Sequence, residues 1–143
     1  MIAREIMQSP VEDVMPFDDI NHAFAKMRRC GVHHLPVVNT KSEVVGILSD
    51  RDILRGLAEV ANSDAPMPVV SSWMKTDVIT CRADEPLESV IHKLLEHRIN
   101  CLPVVDMDAR CIGMITSRDV IRTNLNRLQA ADPTTMSAEF VEL

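Results

Sequence analysis

Two segments of the chain carry a hydroxyl three residues ahead of a carboxylate: Ser49 with Asp52, and Thr116 with Asp119. A carboxylate can accept hydrogen bonds from two adjacent hydroxyls at once, and such charge-assisted bonds are stronger than neutral ones. A hydroxyl at a helix start sits beside free backbone N–H groups, which favour an anion. The same spacing also makes a capping box, in which hydroxyl and carboxylate close a helix end and engage no ligand. Both readings stand on the motif alone. Arg51 and Arg118 lie inside the two segments and offer fixed positive charge; a solvated helix face accounts for them equally well.

The segments belong to a longer duplication. Leu35-Pro36-Val37-Val38 returns as Leu102-Pro103-Val104-Val105, 67 positions later. At the same offset, Gly46-Ile47-Leu48-Ser49-Asp50-Arg51-Asp52 falls on Gly113-Met114-Ile115-Thr116-Ser117-Arg118-Asp119. Met7, Val11, Lys26 and Arg55 fall on Met74, Val78, Lys93 and Arg122. Each copy is too small to bury a good core alone. The copies should pack on each other, with any function at their seam.

Each copy reads as β-α-β-β-α. In the first, Val11–Val14 is a short β-prone run. Asp18 and Asp19 open a helix striped by Ile20, Ala23, Phe24 and Met27, and Gly31 ends it. Leu35–Val38 and Val44–Leu48 form a hairpin around a turn at Asn39–Ser42, and Ser49 opens a second helix. In the second copy a strand is expected at about Val78–Cys81 and a helix from Pro86. A hairpin then spans Leu102–Ile115, with a last helix from about Ser117 to Leu128. The expected division is 1–60 for the first repeat, 61–70 for a polar linker, 71–128 for the second repeat and 129–143 for a mobile tail.

Bulk composition narrows the function classes. The chain has 143 residues, 46% hydrophobic and 25% charged, with a formal net charge of −6. That balance disfavours nonspecific nucleic-acid binding and anionic membrane surfaces. With 3% aromatic residues there is no platform for stacking bases. No stretch reads as a membrane span or a signal peptide, so the expected location is cytoplasmic. Cys30, Cys81, Cys101 and Cys111 form no Cys-x-x-Cys pair and read as packing residues. His92 and His97 are badly spaced for one helix face, so no metal site is expected. No phosphate-binding glycine loop and no nucleophile–base set stands out, so no catalytic residue is assigned.

The paired Leu-Pro-Val-Val strands and Gly-h-h-Ser/Thr-x-x-Asp segments (h hydrophobic) resemble the cystathionine β-synthase (CBS) domain family over about residues 4–125. Two such repeats in tandem make a Bateman module. The resemblance implies an α/β (α+β) fold. Each repeat would have a three-stranded sheet and two helices, packed sheet to sheet about a pseudo-twofold axis, and two modules would often pair into a homodimer. It implies adenosine-containing ligands in the clefts between repeats. Asp119 would hold ribose, with Thr116 near ribose or phosphate; Asp52 and Ser49 would do the same in the other cleft. The base would lie by Val78, Ile79 and Thr80 with Ile99, Asn100 and Cys101; ordinary core packing explains Ile79 and Ile99 as well. The first-repeat counterparts are Val11, Glu12 and Asp13 with Val32, His33 and His34. Glu12 and Asp13 would repel an anion, so the Asp119 cleft is the expected better site. His33 or His34 would reach the phosphates of a neighbouring ligand, although lone histidines are more often structural.

The sequence thus predicts a non-catalytic sensor of an adenine nucleotide or related adenosyl compound, with no required cofactor, a homodimeric assembly and a partner protein under its control. The rival is a ligand-free homodimeric scaffold.

Overall fold

The computed structural model describes residues 1–131. The elements run in the order α1 (Ala3–Ile6), α2 (Ile20–Cys30), β1 (His34–Val38), β2 (Val44–Ser49), α3 (Asp50–Val60), a 3-10 turn (Val70–Ser72), β3 (Cys81–Arg82), α4 (Leu87–His97), β4 (Cys101–Val105), β5 (Cys111–Thr116) and α5 (Ser117–Ala131). α5 continues three residues beyond the expected Leu128. The rest of the expected tail, 132–143, lies outside the described residues.

Local chemistry sets these boundaries. The Asp19 carboxylate accepts the His22 N–H at 2.8 Å and caps α2. Gly31, at φ 67°, turns the chain out of that helix, and its N–H bonds the last carbonyls. In the hairpin turns, Asn39 Oδ1 accepts the N–H groups of Lys41 and Glu43, and Asp106 Oδ1 those of Asp108 and Arg110.

The expected first strands are much reduced. The Val11–Val14 run contributes a single parallel bridge, Val14 to Val37, so the first sheet is the β1–β2 hairpin alone. The run expected at Val78–Cys81 is strand only at Cys81–Arg82, parallel to β4 in the sheet β3-β4-β5. Prolines at 10 and 16 limit the first run, since a proline has no N–H for the ladder.

Two helix-covered cores result. One gathers Val14, Ile20, Met27, Leu35, Leu48 and Ile53; the other gathers Leu87, Val90, Leu94, Leu102, Val104 and Ile115. β1 and β4 are buried on both faces. Leu35 and Val37 face the first core, while Pro36 and Val38 are buried outside it. Cys101, Pro103 and Val105 repeat this arrangement in β4. Alternation along a strand sends these residues to the face opposite their own core.

The repeats also exchange their leading segments. Gln8 pairs with Met114 through bonds of 2.8 and 3.0 Å, and Lys75 pairs with Ile47 through two of 2.9 Å. Ala3 and Arg4 donate to Glu85 and Ala83 of the second repeat; Val70 and Ser71 donate to Asp18 and Pro16 of the first. Every bond in one set is the other set moved by the repeat offset. At the hairpin tips, Val44 donates to Ala109 and Cys111 to Ser42. This reciprocity is a pseudo-twofold axis written in hydrogen bonds, and it holds two small cores together.

Candidate functional site

Crossed pairing decides which residues meet. One cleft, of about 580 Å³, is lined by Gln8, Pro10, Val11 and Glu12, by Cys30–Pro36, and by Asn100, Met114 and Thr116–Arg118. The other, of about 780 Å³, is lined by His33, His34, Ile47, Ser49–Asp52, Leu54, Arg55, Lys75 and Arg98–Cys101. Both volumes suit a small-molecule ligand. They are called here the Asp119 cleft and the Asp52 cleft, after the carboxylate at each helix start.

The grouping expected from the sequence is therefore exchanged in part. Ile99 and Cys101 were expected beside Asp119, but they line the Asp52 cleft; Asn100 lines both. Val32 was expected beside Asp52, yet it stands opposite Thr116 and Arg118; His33 and His34 line the Asp52 cleft as expected and the Asp119 cleft as well. Glu12 moves with Val32 into the Asp119 cleft. The electrostatic argument for preferring the Asp119 cleft falls with that move. His33, His34 and Asn100 border both clefts. Val78, Ile79 and Thr80 are half-buried and line neither; the Thr80 carbonyl accepts the Lys93 ammonium at 2.8 Å.

Both capping boxes form. Ser49 Oγ accepts the Asp52 N–H at 3.1 Å, and Asp52 Oδ2 accepts the Ser49 N–H at 2.9 Å. Thr116 and Asp119 repeat these bonds at 3.1 and 2.9 Å. The remaining carboxylate oxygens differ. Asp52 Oδ1 takes Arg55 Nη2 at 2.7 Å, whereas Asp119 Oδ1 takes Gln8 Nε2 at 3.0 Å. Asp52 and Asp119 are the buried charged residues of the molecule as described, 3% and 7% exposed. Each carboxylate thus caps its helix through one oxygen; Asp52 itself lines its cleft, whereas Asp119 is joined to its cleft through Gln8 and Thr116, which do line it.

The first helical N–H groups are partly spent. Asp50 N donates to the His33 carbonyl at 3.0 Å and Ser117 N to that of Asn100 at 2.7 Å. These bonds fix the pre-hairpin residues against the helix starts of their own repeats. His33 Nδ1 lies 3.0 Å from Asp50 Oδ2 on the surface. The half-buried His34 ring has its pKa lowered, first by loss of water, although Asp50 opposes the change.

Several lining residues escaped the sequence reading: Gln8, Cys30, Lys75 and Arg98. The duplication held a signal for two of them, because Gln8 and Lys75 directly follow the matched Met7 and Met74. Among the described residues, no group of three or more His, Cys, Asp or Glu is arranged to hold a metal ion. No described helix is long and apolar enough to cross a membrane.

Comparison with known proteins follows the same geometry. The CBS domain pair of protein MJ0100, in complex with 5′-methylthioadenosine and S-adenosyl-L-methionine, superposes with a TM-score of 0.78 at 28% identity, covering 87% of this chain and 99% of that one. CBSX2 in complex with AMP gives 0.75 at 27% identity, covering 89% and 98%. A homoserine O-acetyltransferase of Methanosphaera stadtmanae is 32% identical over 128 residues, which are 84% of this chain and 25% of that protein. An inosine-5′-monophosphate dehydrogenase of Methanocaldococcus jannaschii is 29% identical, over 84% of this chain and 23% of its own length. The chain spans about a quarter of the curated relatives it matches. The CBS domain model matches residues 3–59 and again 70–126, and the chain belongs to the CBS domain family as a tandem pair of repeats.

Proposed function

We propose that this chain is a non-catalytic regulatory module that takes an adenosine-containing ligand in the clefts between its repeats. One observation carries the reading: each cleft joins the helix start of one repeat to the pre-hairpin residues of the other. A ligand there touches both repeats and changes the free energy of their relative placement, which a partner protein can read. The buried carboxylate at each helix start suits a ribose diol. The apolar wall of Val11, Val32 and Met114, or of Ile47 and Ile99, suits a base. The adenosyl ligands of the two solved neighbours support the choice of class. A cytoplasmic setting is part of this proposal.

Thermal unfolding against AMP, ADP, ATP, S-adenosylmethionine, NAD(H) and cyclic dinucleotides tests it. A specific ligand at 100 times its dissociation constant adds about 2.7 kcal/mol of stability. The absence of a shift with every compound favours the second reading, a ligand-free homodimeric scaffold. That reading draws on Leu54 and its repeat counterpart Ile121, 62% and 67% exposed on α3 and α5, with Leu95 and Leu128 also exposed on helices. Such faces are suited to a second copy of the chain. A dimer mass by light scattering at micromolar concentration is expected under both readings, and a monomer counts against the assembly.

A further inference from the structure

The repeat offset allows the two clefts to be compared wall by wall, and they differ in charge. Where the Asp119 cleft has Gln8, the Asp52 cleft has Lys75. Where the first has Gly31, the second has Arg98. Arg51 and Arg55 complete four cations around the Asp52 cleft, against the carboxylates of Asp50 and Asp52. Asp50 is held by His33 and Asp52 by Arg55, while Arg51, Lys75 and Arg98 enter no ion pair among the described residues. Of the residues lining the Asp119 cleft, Arg118 and Glu12 carry fixed charges that cancel, and the Asp119 carboxylate at its helix start meets the neutral Gln8 amide in place of a cation. Glu12 is in turn 3.8 Å from Lys26 and from Arg29, neither of which lines the cleft.

Arg98 adds an independent signal. It ends α4 in the left-handed conformation at φ 54°, the place that Gly31 fills at φ 67° in α2. Ile99 N–H bonds the Leu94 carbonyl at 3.1 Å as Val32 N–H bonds that of Met27 at 3.0 Å, so the two helix ends are the same motif. Only glycine adopts this conformation without strain. The second repeat tolerates the strain and places a guanidinium on the cleft wall. A strained residue at a ligand-sized cavity points to function.

We propose that the two clefts sort adenosine compounds by charge. The Asp52 cleft takes the form bearing a di- or triphosphate chain, and the Asp119 cleft takes an adenosyl compound without one. Lys75, Arg98 and Arg51 meet the phosphates through charge-assisted bonds. The proposal rests on the reading that adenosine compounds bind between the repeats.

Calorimetry with adenosine and ATP separates the two claims. ATP is expected to bind the wild-type chain at one site about tenfold or more tighter than adenosine binds there, and to weaken as salt rises. Combining Lys75→Gln with Arg98→Gly makes the Asp52 cleft resemble its neighbour. That variant is expected to lose about tenfold or more in ATP affinity while adenosine affinity is kept. Arg98→Gly alone removes the left-handed strain and should raise the melting temperature of the free protein by about 2–4 °C, which also certifies its folding. ATP affinity unchanged in the double variant, or equal affinities for ATP and adenosine in the wild type, overturns charge sorting while leaving nucleotide binding intact. Heat from neither compound overturns the binding reading, and the sorting with it.

Discussion

Gln8 Nε2 donates to Asp119 Oδ1 at 3.0 Å, joining residues 111 positions apart. The bond fastens the leading segment of the first repeat to the start of the last helix of the second. Its counterpart is missing: Lys75 makes no such bond to Asp52, where Arg55 on the same helix takes the oxygen at 2.7 Å. A neutral amide holds one carboxylate and a guanidinium the other. Both bonds end on a carboxylate, but the guanidinium brings an opposite charge as well, so ribose hydroxyls displace the neutral amide at lower cost.

Adenosine binding is therefore expected to depend more on Asp119 than on Asp52. Asp119→Ala should weaken it by about 1.5–3 kcal/mol for each charged bond lost, and Asp52→Ala by less. Calorimetry on both variants decides. Equal losses, or a larger one at Asp52, contradict the assignment. Unchanged affinity with a lowered melting temperature would leave both aspartates as helix caps only, worth about 1 kcal/mol each.

The sequence carried the local structure well. The matched Leu-Pro-Val-Val and Gly-to-Asp segments foretold both hairpins, and Asp19 and Gly31 marked the ends of α2. Capping and turn chemistry act over a few residues, so a linear reading finds them. The exchange of leading segments is different. Gln8 meets Met114 and Lys75 meets Ile47 through backbone bonds that no side-chain pattern announces. Missing that exchange put Glu12 in the wrong cleft. Arg98 was hidden for a related reason, since a helix end in the left-handed conformation is usually marked by glycine or asparagine.

Close approach at Gly113 gives a test of the exchange itself. A Cβ added there would lie 2.6 Å from Met7 Sδ and 3.0 Å from the Gln8 carbonyl oxygen; at Gly46 the distances are 2.5 Å to Met74 Sδ and 3.1 Å to the Lys75 oxygen. The thioether can swing away, but the carbonyl is fixed in its backbone pair. Gly113→Ala and Gly46→Ala are each expected to cost about 1–3 kcal/mol as overpacking, measured by denaturant unfolding. A neutral effect at both positions would show that the leading segments are free to shift.

Thiol chemistry should single out one cysteine. Burial pushes the Cys81 and Cys101 thiols up to about 12 and that of Cys111 to about 11, so almost no thiolate exists there at neutral pH. Cys30 is the exposed thiol. Titration with an aromatic disulfide reagent is expected to modify one thiol in the native chain and four after denaturation. Cys30 also lines the Asp119 cleft, so adenosine bound there should slow that single reaction. Rapid modification of two or more native thiols would contradict the buried placements.

His34 sets a pH dependence whose sign is fixed. Its ring is half-buried, and loss of water lowers its pKa below the ordinary 6.5, with His33 and Lys75 adding to the lowering and Asp50 and Asp52 opposing it. Below 6.5 the unfolded chain takes up a proton that the folded ring refuses, so the unfolded state binds more protons and stability decreases as the pH is lowered. The loss begins near 6.5 and ends once the folded ring also titrates. Above 6.5 both states are neutral at this site and the contribution is flat. His34→Gln removes the effect while leaving the carboxylates to titrate as before. Melting temperatures at pH 5.5 and 7.5 should therefore differ more for the wild type than for the variant. The same comparison with ATP present should shrink the wild-type difference, because phosphates near a ring that borders both clefts favour its protonated form. Equal pH slopes in the two proteins without ligand would mean that the imidazole is hydrated and the cleft wall is looser than its burial indicates.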